Sequence, residues 1–166
     1  LDKFKKPHDT SKYWIKEQEK INQSKGLKFF KTHNALCKIE GNHFTNKENT
    51  LGAIYIIRDP RNVITSVLNY FNKKDYNDAL NFLKDEKKIL GGSDEDFGIP
   101  TIISSWSNHY NSWKKLDKNY LLIKYENLLN KPEIEFKKIT DYLETIGKFK
   151  FKNSDISLAI ENTKFN

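Results

Sequence analysis

The longest uninterrupted apolar stretch spans residues 51–57, and inside it Ala53, Ile54, Tyr55, Ile56 and Ile57 follow one another without a polar break. A strand reads this way when helices cover both of its faces, as in a parallel sheet. The run ends at Arg58. Asp59 then occupies an N-cap position, and Pro60 falls where a helix tolerates proline, at its first residue. Val63, Ile64, Val67, Leu68 and Phe71 follow with the spacing of a single helical face. The pattern predicts strand, tight turn and helix in succession.

The same reading extends along the chain. A first helix is expected to start at Asp9, Thr10 or Ser11, to carry Tyr13, Trp14 and Ile21, and to stop at Gly26. Leu27, Phe29 and Phe30 make 27–32 a short strand, and 41–52, rich in Asn, Thr and Gly, a loop. Residues 75–90 are amphipathic and read as helix, and 91–98 as an acidic, glycine-bearing loop. After Pro100 a helix is expected with Ile103, Trp106, Tyr110 and Trp113 on one side. Residues 120–123 form a third strand. Pro132 opens another helix, with Ile139, Tyr142, Leu143 and Ile146 on its apolar face and Gly147 at its end. Asn153 or Ser154 caps a last one.

Strands alternating with helices predict an α/β fold, three-layered, with a mostly parallel sheet flanked by helices. Such sheets bind ligands at the carboxyl ends of their strands. Here those ends are Lys31-Thr32-His33, Arg58 and Tyr125.

The chain of 166 residues suits one domain. Charged residues make up 31%, yet 11 Phe, 8 Tyr and 3 Trp supply a core that a disordered chain would lack. The net charge of +7 favours an anionic partner. One cysteine, Cys37, excludes an internal disulfide and a multi-cysteine metal site. No apolar run is long enough to span a bilayer and no signal peptide opens the chain, so a cytoplasmic location is expected. The chain holds no Met and begins at Leu1, which suggests a fragment.

Two constellations carry potential chemistry. A helix start after Arg58 attracts phosphate, and the planar guanidinium can hold two of its oxygens. Asn62 and Ser66 share a face of that helix. A plain capped helix, with Arg58 paired to a neighbour, fits the same residues. At 31–33, His33 could serve as a general base and Lys31, two residues earlier on the same side of a strand, could stabilise negative charge. A merely solvated histidine fits there too. His8 and His43 read as surface residues. His109, between Trp106 and Trp113, reads as packed or pocket-lining. The histidine spacings match no zinc motif.

These segments resemble the sulfotransferase family, whose members use 3'-phosphoadenosine 5'-phosphosulfate (PAPS). Phe30-Lys31-Thr32-His33 is similar to the family's K-T-H segment. The stretch from Tyr55 through Arg58-Asp59-Pro60-Arg61 to Ser66 is similar to its 3'-phosphate motif, with the Arg and Ser eight positions apart. Ser105-Trp106 through His109 to Trp113 resembles its S-W-x-x-H-x-x-x-W helix. Lys124-Tyr125-Glu126-Asn127-Leu128 through Pro132 resembles its Y-E-D-L-x-x-x-P segment, and Asn162-Thr163-Lys164-Phe165 its T-x-F stretch.

The resemblance implies a nucleotide-kinase-like sulfotransferase fold and in-line transfer of a sulfuryl group from PAPS to a hydroxyl or amine of a small-molecule or glycan acceptor. It implies His33 as base, Lys31 as charge stabiliser, Arg58 and Ser66 on the 3'-phosphate, and Tyr125, Thr163 and Phe165 beside the nucleotide. No metal and no nucleic acid are expected. Asn34-Ala35 stands in place of the family's usual Leu-Pro. Neither the P-K-S-G-type phosphosulfate loop nor the R-K-G segment occurs in the chain, so a single sulfotransferase domain over 1–166, incomplete at both ends, is expected. The alternative is a catalytically inactive domain of the same fold that binds PAPS, its product 3',5'-adenosine bisphosphate (PAP) or a partner.

Overall fold

A computed structural model describes residues 4–92, 98–147 and 149–163. Its helices, in chain order, are α1 (Pro7–Ser11), α2 (Trp14–Asn22), α3 (Pro60–Tyr70), α4 (Tyr76–Lys84), α5 (Trp106–Trp113), α6 (Tyr125–Asn130), α7 (Pro132–Gly147) and α8 (Asn153–Asn162). Its strands are β1 (Lys38–Ile39), β2 (Asn42–His43), β3 (Ala53–Ile57), β4 (Ile89–Leu90), β5 (Thr101–Ile102) and β6 (Tyr120–Lys124). They fall into two compact units, Leu1–Thr50 with Pro60–Lys115, and Leu51–Asp59 with Leu116–Asn166.

The first unit is mainly helical. Its apolar centre includes an edge-on aromatic chain, Trp14 against Phe44 at 5.2 Å and Phe44 against Trp113 at 6.2 Å. Strands β1 and β2 pair antiparallel around Glu40 and Gly41, at φ 47° and 86°. A two-residue hairpin turn with both residues left-handed matches the strand twist, and Gly41 takes that conformation without strain. The apolar stripe of α3 turns inward as its spacing predicts: Val67 is buried, and Phe71 packs tilted against Phe82 of α4 at 4.6 Å. Asp75 caps α4 by accepting the Asp78 N–H at 2.9 Å.

Several sequence expectations fail here. The single helix expected to start at Asp9, Thr10 or Ser11 and to stop at Gly26 is two, α1 and α2. The 41–52 loop includes β2, and the helix expected after Pro100 begins only at Trp106, after β5. Residues 27–32 form no ladder among the described residues, and Phe29 and Phe30 are 65% and 70% exposed. A strand must spend its backbone groups on a neighbouring strand, and no described ladder offers 27–32 one; the bonds to α5 and β5 begin only at His33. The helix expected over 75–90 stops at Lys84, and Ile89–Leu90 pairs antiparallel with Thr101–Ile102.

The second unit holds the parallel ladder. β3 and β6 run in register from Ala53 opposite Tyr120 to Ile57 opposite Lys124. Ile123 is fully buried, while Ile56 is 55% exposed, so the all-apolar strand is not covered on both faces as its composition suggests. Helix α7 presents Tyr142 and Ile146 to the start of β3, where a Cβ on Gly52 would run into the Tyr142 hydroxyl. Ile156 and Ile160 of α8 are buried. So is the carboxylate of Glu135, which accepts from Lys138 at 2.6 Å and Asn127 at 3.4 Å. The parallel pair is the α/β element of the fold; the two other ladders are antiparallel two-stranded pieces.

Candidate functional site

In the second unit, Ile57 and Lys124 are the last paired residues of the parallel ladder, so Arg58 and Tyr125 leave it side by side. The Arg58 guanidinium lies over the Tyr125 ring, Cζ 5.1 Å from its centroid. The ring's negative face attracts the cation and steadies its plane. One residue further on each strand, the Asp59 N–H donates to Glu126 Oε1 at 2.8 Å. That bond, with the Arg58 charge as a lesser contributor, holds the Glu126 carboxyl below the usual carboxylate range. The turn out of β3 is thereby tied to the first turn of α6. An always-charged planar fork stands at the carboxyl end of a parallel strand, two residues before a helix begins.

In the first unit, Lys31, Thr32 and His33 have exposed side chains on irregular backbone. The next few residues of the chain are tightly held. Trp113 Nε1 donates to Asn34 O at 3.0 Å, and the Leu36 N–H donates to Ser112 Oγ at 2.9 Å. The Ala35 N–H donates to Ile102 O at 2.7 Å, and Asn34 Oδ1 accepts the Ile102 N–H at 2.8 Å. His109 Nε2 lies 3.2 Å from His33 O. A carbonyl can only accept, so this ring nitrogen carries the proton. Burial is the chief cause holding the His109 ring below the usual histidine range, so it is neutral at pH 7.

A cleft of about 300 Å³ opens beside this segment, lined by Ala35, Cys37, Ile102, Asn108 and Ser112 among others. Burial pushes the Cys37 thiol up to about 11, so it is not a ready nucleophile. Among the described residues, no three or more His, Cys, Asp or Glu side chains gather as a metal site. No described helix is long and apolar enough to cross a membrane.

Comparison with known proteins decides the family. A model of the sulfotransferase domain matches residues 4–166. The chain belongs to the sulfotransferase family. It is 29% identical over 96 residues to cytosolic sulfotransferase 7 of Arabidopsis thaliana, a match covering 55% of this chain and 28% of the relative. It is similar in structure to mouse sulfotransferase SULT7A1 crystallised with PAP, with a TM-score of 0.52 and 25% identity over 71% of this chain and 40% of the other. The chain thus spans well under half the length of these sulfotransferases.

Against the family pattern, Arg58 and Tyr125 stand at strand ends as the sequence suggests. His33 and Lys31 do not, because 27–32 is no strand, and the two-residue alternation that puts them on one side does not apply. Ser66 lies on the exposed face of the sulfotransferase helix α3, its Oγ donating to Asn62 O at 3.3 Å. The Thr163 hydroxyl turns back on its own helix, donating to Ala159 O and Ile160 O, both at 3.0 Å. Phe165 lies outside the described residues. Three roles escape the sequence: Glu126 as the tie to Asp59, Asn34 as a bridge to β5, and His109 as a donor to His33. For Glu126 the one local signal is its acidic side chain in the first turn of α6.

Proposed function

We propose that this chain is part of a sulfotransferase that moves a sulfuryl group from PAPS to a hydroxyl or amine of a small-molecule or glycan acceptor. The observation that carries the reading is Arg58, held on the Tyr125 face at the end of the parallel ladder, in a chain of this family. A fixed fork of donors suits a phosphate monoester dianion, and it is the one on the 3' oxygen that separates PAPS from ordinary adenine nucleotides. The PAP in the similar mouse structure supports it.

In this reading Arg58 and Ser66 hold the 3'-phosphate. Tyr125, Thr163 and Phe165 border the nucleotide. The His33 imidazole takes the acceptor proton as the new sulfur–oxygen or sulfur–nitrogen bond forms and the bond from sulfur to the phosphate oxygen breaks. Lys31 offsets negative charge on the transferring group. Catalysis rests on positioning and charge neutralisation, as in phosphoryl transfer, and calls for no metal. Residues 1–166 belong to one sulfotransferase domain, and the cytosolic relative supports a cytoplasmic site of action.

The test is transfer of label from ³⁵S-PAPS by the gene product across phenol, alcohol, amine and glycan acceptors, alongside PAP binding. Labelled product, lost in His33→Ala with PAP affinity kept, is the expected result. PAP binding without transfer to any acceptor favours the inactive binding domain. Neither binding nor transfer overturns both readings.

A further inference from the structure

Residues 33–36 have no regular secondary structure, yet most of their main-chain bonds have named and fixed partners. Three come from one face of α5. His109 Nε2 donates to His33 O at 3.2 Å, Trp113 Nε1 donates to Asn34 O at 3.0 Å, and Ser112 Oγ accepts the Leu36 N–H at 2.9 Å. Positions 109, 112 and 113 are spaced i, i+3, i+4, so a single turn of helix grips the segment. From the other side β5 supplies two more bonds, Ala35 N–H to Ile102 O at 2.7 Å and Ile102 N–H to Asn34 Oδ1 at 2.8 Å. The grip is anchored: Trp113 is 7% exposed and packs edge-on to Phe44, and α5 starts on a Ser105 cap. The contact to His33 is with its carbonyl, which leaves the exposed imidazole available.

We propose that His109 and Trp113 are positioning residues that fix the main chain of His33, so that its imidazole meets the acceptor in one place. The proposal rests on the reading of His33 as the base. An unstructured segment would let that ring wander, and a misplacement of about 1 Å in a transfer site can cost on the order of a hundredfold in rate. Asn34, which departs from the family's usual residue at that position, is part of the device through its side-chain bond to β5.

The test uses two readouts. The first is backbone ¹⁵N relaxation and amide exchange of residues 33–36 in the gene product, with its circular dichroism unchanged. In His109→Phe, which keeps a ring and loses the donor, order parameters at 33–36 fall from roughly 0.85 to below about 0.6, and Leu36 exchanges at least about tenfold faster. Trp113→Phe does the same at 34–36, and His109→Gln, which keeps an N–H, restores order. The second is turnover with ³⁵S-PAPS and an acceptor on which the wild type acts. His109→Phe lowers kcat by roughly ten- to a hundredfold with KM for PAPS unchanged. In the His33→Ala background, His109→Phe adds no further loss.

Unchanged order at 33–36 in both His109→Phe and Trp113→Phe overturns the proposal. So does a loss that simply adds to that of His33→Ala. A His33→Ala enzyme as fast as wild type instead removes the base itself, while the relaxation result still reports on the grip.

Discussion

Arg58 is the residue on which the nucleotide reading turns, and its neighbours set how well it is presented. Tyr125→Leu removes the aromatic face beneath the guanidinium and is expected to weaken PAP binding by about 0.5–1 kcal/mol, the range of an exposed cation–π contact. Titration calorimetry reads this directly; an unchanged affinity takes Tyr125 out of the site. His109 gives a pH prediction. Its folded pKa lies below its ordinary 6.5, because burial disfavours the imidazolium. The unfolded chain therefore binds more protons, and stability falls as pH drops below about 6.5. In His109→Gln the melting temperature should decline less between pH 6.5 and 5 than in the wild type; parallel declines would contradict the assignment. Arg58 was legible in the sequence because it marks the end of an apolar run. His109 was not, because its partner is a main-chain oxygen 76 residues away, and side-chain patterns do not encode that distance.

At the scale of elements, caps and close approaches make the sharper predictions. Ser105 Oγ accepts the Asn108 N–H at 3.2 Å, so Ser105→Ala should cost about 1 kcal/mol in urea denaturation and raise exchange at Leu36 as α5 frays. Gly52→Ala drives a methyl group into Tyr142 and toward Asn119 O at 3.0 Å. Forcing that overlap should destabilise by roughly 1–3 kcal/mol, and a variant as stable as wild type would show the β3–α7 contact to be loose. Helices α3, α5 and α7 were readable because each is long enough for its period to show, β3 and β6 as continuous apolar runs, and α8 from the Asn153-Ser154 start signal. β4 and β5 have two residues each, too few for any period. α6 follows β6 with no breaker between them. The segment 27–32 has a strand's composition, but composition does not name a ladder partner.

The chain carries a net charge of +7, which suits the anionic donor proposed above. Binding through exposed cations should weaken as salt rises. The motif order along the chain makes the family legible in the sequence itself, because each motif pairs a residue type with a structural position. The acceptor was not legible: its recognition depends on loops whose shape no period or motif encodes. The most direct test of the account is calorimetric titration of the protein with PAP and, separately, with AMP. We predict specific heat with PAP, little with AMP, and a loss of about 1.5–3 kcal/mol of PAP affinity in Arg58→Ala, the range for a charged hydrogen bond. Equal affinity for the two nucleotides, or an Arg58→Ala protein that binds PAP as tightly as the wild type, would contradict it.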